Sequence, residues 1–91
     1  MRKAVYSSQF QKDYKLCQRR GCKIQKLINV MLDLEKEIPL SAKYRPHPLQ
    51  GNYSGYMDCH IAPDWLLIYS IDEKTKEIYF ARTGTHSDLF R

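Results

Sequence analysis

The chain is 91 residues long, 43% hydrophobic, and carries fifteen Lys and Arg against ten Asp and Glu, a formal charge of +5. These figures set a single domain over residues 1–91 as the expectation and exclude a disordered chain; no apolar run nears the roughly 20 residues of a membrane span, and MRKAVYSSQF lacks the apolar stretch of an export signal. The three cysteines, Cys17, Cys22 and Cys59, are odd in number and have no CxxC spacing, which argues against a disulfide framework or a thiolate zinc site and for a reduced, cytoplasmic protein.

In chain order, Lys3–Tyr6 reads as a short first strand. Ser8, with Gln11 three residues on, fits a capping box opening a helix whose apolar positions Phe10, Tyr14 and Cys17 follow an i, i+4, i+7 rhythm. Gly21 ends it after Arg19 and Arg20. Ile24, Leu27, Ile28, Met31 and Leu34 form the stripe of a second helix, stopped by Pro39. Residues 53–61 alternate, with Gly55, Met57, Cys59 and Ile61 on one side and Tyr56, Asp58 and His60 on the other. Residues 62–64 are turn material, and 65–71 are nearly continuously apolar, suiting a central strand covered on both faces. A polar turn at 72–76 and a last strand at 78–82 follow. The predicted order is βααβββ, an α+β fold: an antiparallel sheet with an N-terminal helical hairpin on one face and the other face open to a ligand.

Basic residues gather in KDYKLCQRRGCKIQK (12–26) and AKYRPH (42–47), with Tyr14, Tyr44, Tyr53 and Tyr56 among or next to them. Cations that neutralise phosphates, and rings that stack on bases, suit single-stranded nucleic acid. A solvated helix face over core tyrosines accounts for the same composition equally well.

All three histidines lie in the C-terminal half. If Met57, Cys59 and Ile61 face the helices, Asp58 and His60 point onto the open side of the sheet. His47 precedes that strand in a proline-stiffened loop, Asp64 sits at the hairpin turn, and His86 follows the last strand. Loops at strand ends gather side chains from distant positions. Singly, each has a plainer explanation: a solvated loop histidine, a turn aspartate, a surface Asp58–His60 pair, a rim charge at Arg82. The histidine spacings are too irregular to favour zinc, and no cofactor is expected. Imidazoles titrate near neutral pH, so one accepts a proton while another donates one. On a phosphate-binding surface the matching chemistry is RNA cleavage through the ribose 2′-OH, with Arg82 stabilising charge on the phosphate oxygens. The nucleophile then belongs to the substrate, and neither a serine nor a metal is required.

The segments HPLQG (47–51), DCHIAPDWLLIY (58–69) and RTGTHSDLF (82–90), in this order and spacing, resemble the YafQ-like branch of the RelE/ParE superfamily of bacterial type II toxin–antitoxin toxins. The resemblance covers nearly the whole chain. It implies a RelE-like fold and a ribosome-dependent mRNA endonuclease that arrests translation. It implies as partners the ribosome, mRNA and a cognate antitoxin, with operator DNA bound only as the toxin–antitoxin complex; the antitoxin should be acidic where it meets the toxin. By motif position it implies His47, His60, Asp64 and His86 as catalytic residues, with His60 and His86 the acid–base pair and His47 and Asp64 polarising or positioning. Asp58, Arg82 and Phe90 fall at supporting or substrate-contacting positions. Met57 departs from the arginine many members carry there, and Pro46 stands in a loop that is usually charged. The competing expectations are a non-catalytic relative binding antitoxin and ribosome or gyrase, which would not need the histidines, and a metal-dependent nuclease.

Overall fold

The computed structural model describes residues 1–90. β1 (Lys3–Tyr6) leads into α1 (Ser8–Arg19) and α2 (Ile24–Glu35). After a 3₁₀ turn at Ala42–Tyr44 come β2 (His47–Pro48), a second 3₁₀ turn at Gly51–Tyr53, β3 (Met57–Ala62), β4 (Trp65–Asp72), β5 (Glu77–Gly84) and α3 (His86–Leu89). The predicted α+β layout holds, with β2 and α3 as two short additions and with residues 53–55 in turn rather than strand. The strands form one sheet in the order β1-β5-β4-β3-β2. It is not antiparallel throughout: β1 runs parallel to β5, from Lys3 against Glu77 to Tyr6 against Phe80. The long path between them provides the crossover a parallel pair needs.

Ser7, not Ser8, caps α1. Its side chain accepts the Phe10 N–H at 2.8 Å and its hydroxyl donates to the Ala81 carbonyl at 2.7 Å. Of two adjacent serines, the one that also docks on β5 takes the cap. Gly21, at φ +78, provides the left-handed backbone that ends α1, and the Cys22 N–H returns to the Cys17 carbonyl at 3.1 Å. α2 stops ahead of Pro39, where Glu37 adopts φ 63 and the Ile38 N–H closes onto the Asp33 carbonyl at 2.9 Å.

The sheet separates two apolar layers. On the helix side, Phe10, Leu27, Val30, Met31 and Leu34 pack against Cys59, Leu67, Ile78 and Phe80. On the other, Leu66, Ile68, Ala81 and Leu89 lie beneath Leu49, Tyr53, Tyr56 and Tyr79. Alternate residues of β4 enter opposite layers, which is why 65–71 is almost uninterruptedly apolar. Leu66, Leu67 and Ile68 are fully buried, each contributing about 1.5–3 kcal/mol. The face away from the helical hairpin is therefore only partly open, because residues 49–56 and α3 cover its centre. Two bulges shape what remains. His60 pairs with Leu66 and Ala62 with Trp65, leaving Ile61 extra; Ile68 pairs with Arg82 and Tyr69 with Phe80, leaving Ala81 extra. Such bulges re-aim side chains, here beside His60 and Arg82. Among the described residues, no helix is long and apolar enough to cross a membrane.

Candidate active site

His47 and Asp58 are direct cross-strand partners in β2 and β3. The His47 Nδ1 lies 2.9 Å from Asp58 Oδ1 and 3.0 Å from the Arg45 carbonyl oxygen. The hydrogen bond is to the Arg45 carbonyl, which only accepts, so Nδ1 carries the proton and Nε2 is left to exchange one. Asp58 Oδ1 is a close charge neighbour without a hydrogen bond of its own among the described residues. Strand alternation places Asp58 away from the helices as expected, yet it is 4% exposed. Burial pushes its carboxyl pKa up, against the opposing pull of His47, His60 and His86.

Two residues along β3, the His60 ring sits between the other two imidazoles, 6.4 Å from His47 and 5.7 Å from His86, centroid to centroid. Its Nδ1 is buried and has no partner among the described residues, an atom that is expensive to leave unmatched in a finished structure.

His86 is positioned both by its own bonds and by the segment that carries it. It opens α3, whose first turn is closed by a capping box between Thr85 and Asp88. Arg20 at the end of α1 anchors that box, with Nη1 donating to Asp88 Oδ2 at 2.7 Å; Arg20, then the Thr85 N–H, hold the Asp88 pKa down to about 2. Gly84 is required by close approach, since a Cβ there would lie 2.9 Å from Asp88 Oδ2. Asp64, from the β3–β4 turn, takes both donors of His86 on one oxygen: the backbone N–H at 3.0 Å and Nδ1–H at 2.6 Å. The backbone N–H, then the ring, keep the Asp64 carboxyl below the usual carboxylate range. The pairing fixes the tautomer and leaves Nε2 for substrate.

Leu89 packs into the core, whereas its neighbour Phe90 is 43% exposed. Its ring lies 6.4 Å from His86 and meets Tyr53 edge-on at 5.8 Å. Arg82 differs from expectation. Its Nε and Nη2 donate to Asp13 at 2.8 and 3.2 Å, and Asp13, with Tyr53 adding to it, raises the guanidinium pKa. An arginine so engaged is a fixed charge at the flank of the site rather than a freely swinging phosphate clamp.

Asp13, the partner that fixes Arg82, is a residue that sequence reasoning does not single out. It is 7% exposed and also accepts the Thr83 N–H at 3.2 Å and Gln9 Nε2 at 3.0 Å. A signal for it exists: Asp13 lies on the buried stripe of α1 with Phe10 and Cys17, where a carboxylate needs a partner. His47, Asp58, His60, His86, Asp64 and Phe90 thus form one continuous arc, with Arg82 beside it. The neighbouring His60 and His86 imidazoles, 5.7 Å apart, suit proton transfer at one phosphorus, with His47 on the far side of His60. Among the described residues, no three His, Cys, Asp or Glu side chains are arranged to hold a metal ion.

Residues 2–91 match the family model described as "Bacterial toxin of type II toxin-antitoxin system, YafQ". The chain is 48% identical over 86 residues to the mRNA interferase toxin YafQ of Escherichia coli, covering 93% of this chain and 91% of that one. The crystal structure of YafQ from Escherichia coli superposes with a TM-score of 0.93 at 44% identity, over 100% of both chains. YafQ in the Escherichia coli DinJ–YafQ complex gives 0.90 at 46% identity, again over 100% of both chains.

Proposed function

The chain belongs to the YafQ family of bacterial type II toxin–antitoxin toxins, and from that membership and the imidazole arc we propose that it is an mRNA interferase, cutting messages on the ribosome and so arresting translation. The observation that carries the chemistry is the placement of three imidazoles from separate segments in one arc, with His60 between His47 and His86.

His60 and His86 are the acid–base pair. One imidazole takes the proton of a ribose 2′-OH, and the freed oxygen attacks the adjacent phosphorus. The P–O5′ bond breaks, and the other imidazole protonates the departing 5′-oxygen, leaving a 2′,3′-cyclic phosphate and a 5′-hydroxyl. Asp64 orients His86, Asp58 and the Arg45 carbonyl orient His47, and His47 polarises the phosphate. Arg82, set by Asp13, adds positive charge at the flank, and Phe90 offers a ring against which a base or the α3 segment is placed.

The working location is the cytoplasm, where ribosomes translate. The partner that silences the chain is a cognate antitoxin, acidic where it meets the positive surface; operator DNA is bound by the complex of the two. Primer extension on transcripts from cells expressing the chain, with translation of the message permitted or blocked, tests the proposal. Cuts are expected only in the translated message. Equal cutting of the untranslated transcript would remove the ribosome from the mechanism.

A further inference from the structure

The two basic segments, far apart in sequence, meet around one cleft of about 540 Å3 beside the imidazole arc. Its walls include Lys26 and Asn29 of α2, Lys43, Tyr44 and Arg45 of the 3₁₀ turn and its cap, and His60 of β3. No acidic residue lines it. Among the described residues, none of the three cations is tied up in a salt bridge, whereas Arg2, Arg20, Lys76 and Arg82 all are. The volume falls within the range of about 300–1,000 Å3 usual for small-ligand sites.

Two details mark the cleft as built. Lys43 Nζ stands 5.1 Å from the centroid of the Tyr44 ring, which is half-buried against the core. Arg45 adopts φ 48, ψ 52, a left-handed backbone uncommon for a residue with a side chain, and its carbonyl meets His47 Nδ1 at 3.0 Å. One turn therefore both gathers the cations and orients a histidine of the site. His60 belongs to both places: it lines the cleft and stands midway along the arc.

We infer that this cleft binds the RNA strand immediately beside the scissile linkage. Lys26, Lys43 and Arg45 hold the phosphates of the flanking nucleotide, and its base stacks at Tyr44 within reach of Asn29. Cations along the backbone with a ring for the base are how single strands are held. The inference rests on the ribonuclease reading and specifies how its substrate is gripped on the His60 side.

The test uses the full chain and a short 2′-O-methyl RNA oligonucleotide, which lacks the reactive hydroxyl, so binding is read without cleavage. The double variant Lys26→Gln, Lys43→Gln should bind it about tenfold or more weakly near 0.1 M salt. The slope of log affinity against log salt should fall by about 1.4, at about 0.7 for each single-strand phosphate no longer neutralised. On programmed ribosomes the same variant should raise KM for message cleavage and leave kcat within about twofold. Tyr44→Leu should lower affinity without moving the slope, and Tyr44→Phe should restore it. Unchanged affinity, slope and KM in the double variant would overturn the cleft, as would failure of the unsubstituted chain to bind the oligonucleotide. Failure of the unsubstituted chain to cleave, with affinity and slope responding as stated, would instead end the ribonuclease reading and leave an RNA site standing.

Discussion

The His60 and His86 rings lie 5.7 Å apart at a 44° tilt, although one projects from β3 and the other opens the C-terminal helix. In the proposed mechanism one phosphodiester spans this separation, with a proton taken at the 2′-oxygen and given at the 5′-oxygen. Expression of His60→Ala without antitoxin should permit the growth that the unsubstituted chain stops, because loss of an acid–base group slows a reaction about 10²–10⁴-fold. Undiminished toxicity would remove His60 from the chemistry.

Asp64 acts through His86. Asp64→Asn keeps an acceptor for the His86 N–H but removes the charge opposite Nδ1–H, and the cleavage rate should fall about 10–100-fold with the fold intact. Because His86 holds the Asp64 carboxyl below its ordinary range, the carboxylate persists at pH 5, and the variant should be impaired there as well as at pH 7. Rates at both pH values check this; a defect confined to pH 7 would contradict it.

Asp58 trades stability for its place in the arc. Burial raises its pKa, so above the ordinary carboxylate value of about 3.9 the unfolded chain gives up the proton first. Stability is lost as pH rises from there through the raised native value, and the deficit persists at neutral pH. Asp58→Asn should therefore melt higher than the unsubstituted chain at pH 7, at about 4–8 °C per kcal/mol recovered, while cleaving more slowly. The two melting temperatures should converge below about pH 4. Calorimetry across this range decides it, and a lower Tm at pH 7 would be the contrary result.

Asp88 has the opposite sign. Its pKa of about 2, set first by Arg20, gives stability that is fully present above the unfolded value of about 3.9 and is lost as pH falls from there through about 2. Arg20→Ala removes the anchor between α1 and α3. Unfolding by urea at pH 7 and pH 3 should show the unsubstituted chain losing more stability on acidification than the variant. Equal losses would mean that the bridge does not hold α3.

Elements with strong periodicity are readable from sequence alone. The stripes of α1 and α2, the alternation of β3 and the apolar run of β4 each report a burial pattern that local residues determine. Features set by distant contacts are not. The cap of α1 falls to Ser7 because β5 offers that residue a carbonyl, and β1 runs parallel to β5 for reasons of overall chain path. Alternation predicts the face of Asp58 but not its burial, which depends on β2, a strand of only two residues containing a proline. α3 has a local signal that the strand-and-loop reading of the C-terminus overlooks: Thr85 followed three residues later by Asp88 is a capping signature. Motif position points to His47, His60, Asp64 and His86, and these do converge, whereas the engagement of Arg82 by Asp13 requires coordinates. Asp13 is submerged in a basic segment whose positive charge dominates its composition.

In the proposed mechanism the substrate's own 2′-hydroxyl is the nucleophile, activated by this arc. The most direct measurement places a single 2′-deoxy substitution at a mapped cut in a message held on programmed ribosomes and follows cleavage at that linkage. With the all-ribose message, products ending in a 2′,3′-cyclic phosphate and a 5′-hydroxyl are expected, and with the substituted message no cut at that position. Cleavage of the deoxy linkage at an unchanged rate would mean that water or a side chain attacks the phosphorus, and the roles assigned to His60 and His86 would be wrong.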